Sequence, residues 1–208
     1  MSKSTGNVID PVEVIERYGI DAMRYYLLRE ISNGRDGDFS DALFMQRYQS
    51  DLANNLGNLV NRVHTLIKKN HVQLFTFQSN HEVYELKVAE TWRKYQAAMD
   101  EYNVHEAVFH VWRLIDFANK MIDDEKPWAL LKTDPGKAKE TLCNLLEVIR
   151  HISMMIWPII PHTAERIRSQ IGLPISLEAS FSTASEWGSH LLWNEVGESE
   201  ILFPRIES

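Results

Sequence analysis

Cysteine is almost absent from this chain: Cys143 stands alone among 208 residues. One thiol permits no intrachain disulfide and no cysteine-built zinc site. Long apolar runs are missing too. No stretch approaches the roughly 20 residues that a membrane-spanning helix requires. Met1-Ser2-Lys3-Ser4-Thr5 has no apolar segment behind it that would make a signal peptide. These absences lead us to expect a cytoplasmic protein with no membrane partner. A basic surplus is lacking as well, since 29 acidic side chains outnumber 22 basic ones for a formal net charge of -7. Charge alone therefore argues against a nucleic-acid binder, which ordinarily carries a basic face. A net charge is a sum, however, and a local basic or stacking surface fits within an acidic total. What is present is ordinary globular usage, 44% hydrophobic and 25% charged, in a length that buries a core of one or two domains.

Helical punctuation begins early. Asp10 is placed to cap a helix opened by Pro11, with Glu13 reaching back as in a capping box, and Tyr18-Gly19 stops it. Asp21 is expected to cap a second short helix, Ala22 to about Ile31, before the loop signals Asn33-Gly34 and Gly37-Asp38. Ser40 opens a long region of helical periodicity that runs to about residue 170. Leu52, Leu56, Leu59, Val63 and Leu66 fall on one face. Val83, Leu86, Trp92, Tyr95 and Met99 are the expected inner face of a helix from roughly His81 to Glu101. Asn103 opens a third helix with Val104, Val108, Trp112, Ile115 and Ile122 inward. Asp134-Pro135 opens a fourth with Leu142, Leu145, Leu146, Ile149 and Ile152 inward, and Pro161 starts a short last helix that stops at Gly172. Four long amphipathic helices with modest connections predict an all-α antiparallel bundle. Residues 173–208 read as an extended tail whose apolar side chains (Phe181, Trp187, Leu191, Leu192, Trp193, Ile201, Leu202, Phe203) dock on a folded neighbour.

Three constellations could carry chemistry. Lys3, flanked by the hydroxyls of Ser2 and Ser4 and followed by Gly6, suits a polyphosphate: an ammonium opposes its charge while hydroxyls and backbone N–H groups donate to its oxygens. An exposed polar tail would have the same residues. Asn58 and Arg62, four apart, lie one turn from each other on one helix face. They offer a guanidinium fork, an amide donor and an amide acceptor, groups that read the edges of unstacked bases. The alternative is a solvated polar face, or amides packed between helices, and Asn54, Asn55 and Asn61 share that neighbourhood. Trp128, held by Pro127 just past a helix end, forms a platform for a stacked base or a core anchor. Trp92, Trp112 and Trp157 read as core. The histidines show no i, i+4 metal pair. Asp123-Asp124-Glu125 has no calcium-loop glycine and reads as a solvated helix end, so no metal site is expected.

Order along the chain adds a family resemblance. Met1-Ser2-Lys3-Ser4 resembles the Lys-Met-Ser-Lys-Ser loop of class I aminoacyl-tRNA synthetases without its first lysine, and Gly6-Asn7-Val8-Ile9-Asp10-Pro11 follows as in several members. Tyr18-Gly19-Ile20-Asp21-Ala22-Met23-Arg24-Tyr25-Tyr26 and Gly37-Asp38-Phe39-Ser40 narrow the likeness to methionyl-tRNA synthetases. So do Leu52 to Arg62, Glu125-Lys126-Pro127-Trp128, Pro158 to Glu165, and Leu202-Phe203-Pro204-Arg205-Ile206-Glu207.

The resemblance implies a helix bundle of the class I synthetase anticodon-binding type. Residues 1–40 would be the signature loop and a two-helix connecting region, 41–172 the anticodon-binding bundle, and 173–208 a tail docking back on the folded core. It implies that Lys3 helps hold ATP phosphates, that Asn58, Arg62 and Trp128 contact the anticodon, and that the partner is methionine tRNA with anticodon CAU. ATP and magnesium would be cofactors of the full-length ligase. The family's nucleotide-binding sheet, its His-Ile-Gly-His-type signature and its methionine pocket have no counterpart here. The chain alone is therefore expected to be inactive, to bind no cofactor and to depend on a catalytic domain as its partner. A helical protein-interaction module, or the anticodon domain of a related class I synthetase, are the competing readings.

Overall fold

A computed structural model of the chain describes residues 11–31, 39–72, 82–174, 185–188 and 195–206. Among them the architecture is all helical. Helix α1 (Pro11–Tyr18) ends where Gly19 takes a positive φ of 87° and its N–H bonds back to the Ile15 carbonyl at 2.8 Å. The expected Asp10 cap lies outside the described residues.

Helix α2 (Ile20–Glu30) corrects the expectation for Asp21, which does not cap its own helix: the N-cap is Gly19, with no side-chain bond. Asp21 is buried, and its Oδ2 accepts the Thr163 N–H at 2.5 Å, capping helix α9 (Pro161–Gln170) instead. Arg24, one turn on, donates from Nε to the Ile159 carbonyl at 2.7 Å and from Nη2 to Pro158 at 2.9 Å. A single short helix thus places an anion at the start of α9 and a cation against the carbonyls that precede it, matching the dipoles on both sides of that corner.

Ser40 caps α3 (Asp41–Arg47) by accepting from Leu43 N–H at 3.3 Å. The chain continues without a break through a π-helical segment, Tyr48–Gly57, into α4 (Asn58–Lys69). An α-helical period does not foretell that wider turn, although Phe44, Tyr48, Leu52 and Leu56 are all buried at strict intervals of four. Leu59 and Val63 are fully buried; Leu66 is only partly so, and Ile67 takes the inner position.

Helix α5 (Glu82–Asp100) carries the clearest correction to the inner faces. Val83 and Leu86 are exposed, at 60% and 63%, while Tyr84, Val88, Thr91, Trp92, Tyr95 and Ala98 face inward. Tyr84 is buried because its hydroxyl finds Glu125 at 2.7 Å. Helix α6 (Val104–Glu125) starts at the Asn103 cap and buries Val108, Trp112, Ile115 and Ile122. A short helix α7 (Pro127–Thr133) precedes α8 (Pro135–Ile156), whose Asp134 cap accepts from Lys137 N–H at 3.0 Å. Helix α8 is the central element, buried almost along its whole length.

Helix directions follow from contact offsets. Trp112 to Asp51, Asn55 to Asp116 and Arg62 to Asp123 are each 61 residues apart, so the π-segment and α4 run parallel to α6. Trp92 to His151 and Tyr95 to Met155, 59 and 60 apart, make α5 parallel to α8. Tyr84 and Thr141 both reach Glu125, pairing the start of α5 and the start of α8 with the end of α6. The result is an up-down-up-down bundle.

Residues 195–206 lie against it. Val196, Leu202 and Phe203 are buried, whereas Ile201 is 72% exposed. Arg166 donates to the Leu202 and Ile201 carbonyls at 2.9 and 2.8 Å, and the Tyr48 hydroxyl to Pro204 at 3.0 Å. Trp187 stacks on His151 with centroids 5.8 Å apart. Phe181, Leu191, Leu192 and Trp193 lie outside the described residues.

Candidate nucleic-acid interface

Trp128 owes its position to the chain on either side of it. Lys126 adopts a left-handed backbone (φ 49°), which ends α6 and starts α7 in one residue. Pro127 occupies the first helical position, where its missing N–H costs nothing, and its ring is buried. The anchored proline leaves the indole beside it outside the core, 43% exposed. Trp92 and Trp112, by contrast, are buried and their indole N–H groups bond to His151 and the Asp51 carbonyl.

Arg62 reaches the same place from α4. Its guanidinium carbon lies 5.9 Å from the centre of the Trp128 ring, within cation–π range. Its Nη2 donates to Asp123 Oδ1 at 2.6 Å. The guanidinium has five N–H donors, and this is its one hydrogen bond among the described residues, so the remaining donors are free for a ligand. The tether fixes the orientation of a side chain that would otherwise sample many rotamers, which lowers the ordering cost of binding.

Asn58 stands one turn earlier, at the first position of α4, but borders a different space. It lines a cleft of about 320 Å³ whose far wall is Leu202, Phe203 and Arg205. The fold therefore brings Arg62 and Trp128 together and sets Asn58 beside them, one turn away. Lys3, Ser2 and Ser4 lie outside the described residues.

The neighbouring asparagines divide between the two readings of this face. Asn55 is tied between helices, donating to Asp116 at 2.8 Å and accepting from Asn119 at 2.7 Å. Asn54 and Asn61 are exposed. The acidic run is not simply solvated. Asp123 holds Arg62, Asp124 pairs with Lys120, and Glu125 accepts from the Tyr84 and Thr141 hydroxyls. Sequence spacing could not reveal these partners, since Asp123 lies 61 residues from Arg62.

With so many carboxylates around one tethered arginine, the surface is poorly made for clamping phosphates. It offers instead a flat aromatic face and directional N–H donors, the equipment for stacking and for reading base edges. Among the described residues, no group of three or more His, Cys, Asp or Glu side chains is gathered as a metal site. No helix there is long and apolar enough to cross a membrane.

Known proteins align with this chain along its whole length. Residues 1–64 match the family model for class I tRNA synthetases (M), and residues 76–192 that for the anticodon binding domain of methionyl tRNA ligase. The methionine–tRNA ligase of Caldanaerobacter subterraneus subsp. tengcongensis is 39% identical over 100% of this chain and 33% of its own length. That of Bacillus subtilis is 37% identical over 100% and 32%. The chain thus spans about a third of the length of these curated relatives. Among solved structures, Mycobacterium tuberculosis methionyl-tRNA synthetase in complex with methionyl-adenylate superposes with a TM-score of 0.83 at 29% identity, over 99% of this chain and 41% of that one. The apo form of the same enzyme gives 0.81 at 27% identity, over 97% and 42%. The chain belongs to the methionyl-tRNA ligase family, of which it carries the anticodon-binding domain.

Proposed function

We propose that this chain selects the tRNA for a methionine–tRNA ligase, reading the anticodon CAU through Asn58, Arg62 and Trp128. The observation that carries the reading is the Arg62–Trp128 pair, a tethered guanidinium over an exposed indole on an otherwise well-packed bundle. Trp128 stacks on an unstacked anticodon base, and Arg62 and Asn58 donate to base edges. Residues 41–172 serve as the anticodon-binding bundle. Residues 1–40 link them to the catalytic domain, and 173–208 return along the bundle toward it.

In the whole ligase, Lys3 with Ser2 and Ser4 acts on ATP phosphates, and ATP and magnesium drive the joining of methionine to its tRNA in the cytoplasm. Selection by this chain and chemistry by the catalytic domain are then separate duties of one enzyme.

Replacing Trp128 tests the reading. Trp128→Ala is expected to weaken binding of a CAU stem-loop by about 1–3 kcal/mol, the usual worth of a base–aromatic stack, with the melting temperature nearly unchanged. Unchanged binding beside a large fall in melting temperature would make Trp128 a core anchor and sink the assignment.

A further inference from the structure

A second polar cavity opens at the same end of the bundle as Trp128, where the start of α5, the end of α6 and the start of α8 meet. Its volume is about 260 Å³. One water occupies roughly 30 Å³ of liquid, while sites for whole small molecules begin at roughly 300 Å³. The space suits a single flat ring system whose substituents remain outside.

Its inner wall is built from fixed polar groups. Tyr84 donates to Glu125 Oε1 at 2.7 Å and Thr141 donates to Oε2, so both carboxylate oxygens are held in place. A carboxylate accepts about four hydrogen bonds, which leaves each oxygen capacity for one more. Asn144 follows Thr141 by one turn of α8 and lines the same cavity. It is only 4% exposed, yet its amide has no hydrogen-bond partner among the described residues. What little it exposes opens onto the cavity, so the amide is available there to a ligand or to water.

We propose that this cavity is a subsite for one guanine base, carried by an RNA strand or by a free nucleotide. The wall is rich in acceptors: the Glu125 oxygens, the Thr141 and Tyr84 hydroxyl oxygens and Asn144 Oδ1. A complementary ring must therefore bring N–H groups. Guanine presents N1–H and the N2 amine side by side for the carboxylate, with O6 next to them to accept from Asn144 Nδ2. Adenine and cytosine place an acceptor ring nitrogen beside their amine, where it would oppose the carboxylate. Uracil flanks its one imide N–H with two carbonyls. Met121 and the exposed Val83 supply apolar flanks for the ring faces. Lys137 at the rim is placed for a phosphate, while Glu140 beside it opposes a multiply charged one. The proposal is independent of the roles given to Arg62 and Trp128.

The test is a titration of the ¹⁵N-labelled 208-residue chain with GMP, AMP, CMP and UMP, and with a single-stranded oligoribonucleotide holding one guanosine among uridines. GMP is expected to shift the backbone amides around Thr141 saturably, and about tenfold or more tighter than the other three, as base-specific paired contacts discriminate. Tighter binding of the oligoribonucleotide than of GMP identifies RNA as the source; equal binding identifies the free nucleotide. Asn144→Leu should abolish the shifts while keeping or raising the melting temperature, and Glu125→Gln should erase the preference for guanine. Arg62→Ala should leave GMP binding unchanged, so failure here does not touch the stem-loop reading. Shifts absent with all four nucleotides, equal with all four, or undiminished in Asn144→Leu would show that the cavity holds only water.

Discussion

The indole of Trp92 can only donate, so the 2.9 Å bond it makes to Nδ1 of His151 leaves that nitrogen without a proton. The other ring nitrogen, Nε2, faces both Arg150 Nη2 at 2.9 Å and Glu147 Oε1 at 3.4 Å. Burial, the largest influence, pushes the His151 pKa below its ordinary value in spite of that carboxylate. Burial also pushes the Glu147 carboxyl up, but hydrogen bonds from His151 and Arg150 and the neighbouring charge outweigh it and hold the pKa at about 2. Both groups thus bind protons less readily folded than unfolded. Their contribution is complete above the unfolded histidine value near 6.5 and falls as pH drops, first through His151 and then, below about 4.5, through Glu147. Urea unfolding at pH 7.5, 5.5 and 4 should show a progressive loss, and His151→Gln should flatten the step between 7.5 and 5.5. An identical pH profile in that variant would contradict the neutral, buried assignment. Periodicity pointed to the inward faces of Trp92 and Ile152, but not to this cluster, because the two halves lie 59 residues apart. Asp21 illustrates the same limit: a short-range rule assigns it to its own helix, while tertiary contact gives it to α9, 142 residues away.

Elements meet here by backbone as much as by side chain. Gly172 (φ 76°) ends α9, and Gly197 donates its N–H to the Gln170 carbonyl at 2.8 Å while its own carbonyl meets His64 Nε2 at 2.9 Å. A Cβ on Gly172 would stand 2.0 Å from the Glu195 oxygen, and one on Gly197 would stand 2.2 Å from the Ser169 oxygen. Those approaches are possible only for glycine. Gly197→Ala is accordingly expected to lift residues 195–203 off α9, at a cost of about 1–3 kcal/mol. Faster exchange of the amide at position 197, which bonds to the Gln170 carbonyl, would report the release, and unaltered protection there would show that the contact tolerates a side chain. Helix existence was largely legible in the sequence, through the caps at Ser40, Asn103 and Asp134 and the aliphatic faces of α6 and α8. The inner face of α5 was legible at Trp92 and Tyr95 but not in its first turns, because Val83 and Leu86 look more apolar than Tyr84. The hydroxyl that makes Tyr84 look external is satisfied by Glu125 inside. The π-segment was equally hidden, since its fours are read as α-helical spacing with a drift.

At the scale of the molecule, the up-down-up-down order carries α4 and α6 side by side in the same direction, which is what lays Arg62 over Trp128, 66 positions further along the chain. Residue types alone suggested a base-reading pair and a stacking platform. Their meeting point, and the role of Asp123 as tether, required the fold. The acidic total is compatible with RNA on this account, because recognition rests on one oriented guanidinium and one aromatic face and needs few phosphate contacts. The most direct test compares the 208-residue chain with its Arg62→Ala, Arg62→Lys and Asn58→Ala variants for binding to a CAU stem-loop and to a scrambled loop of the same length. Base contacts specify while phosphate contacts merely position, so Arg62→Ala should lose about 1–3 kcal/mol on the CAU loop and almost nothing on the scrambled one. Asn58→Ala should behave alike but more mildly, and Arg62→Lys should fail to restore discrimination because it keeps the charge without the planar fork. Equal losses on both loops, with Arg62→Lys recovering both, would contradict the account and leave Arg62 as a phosphate clamp.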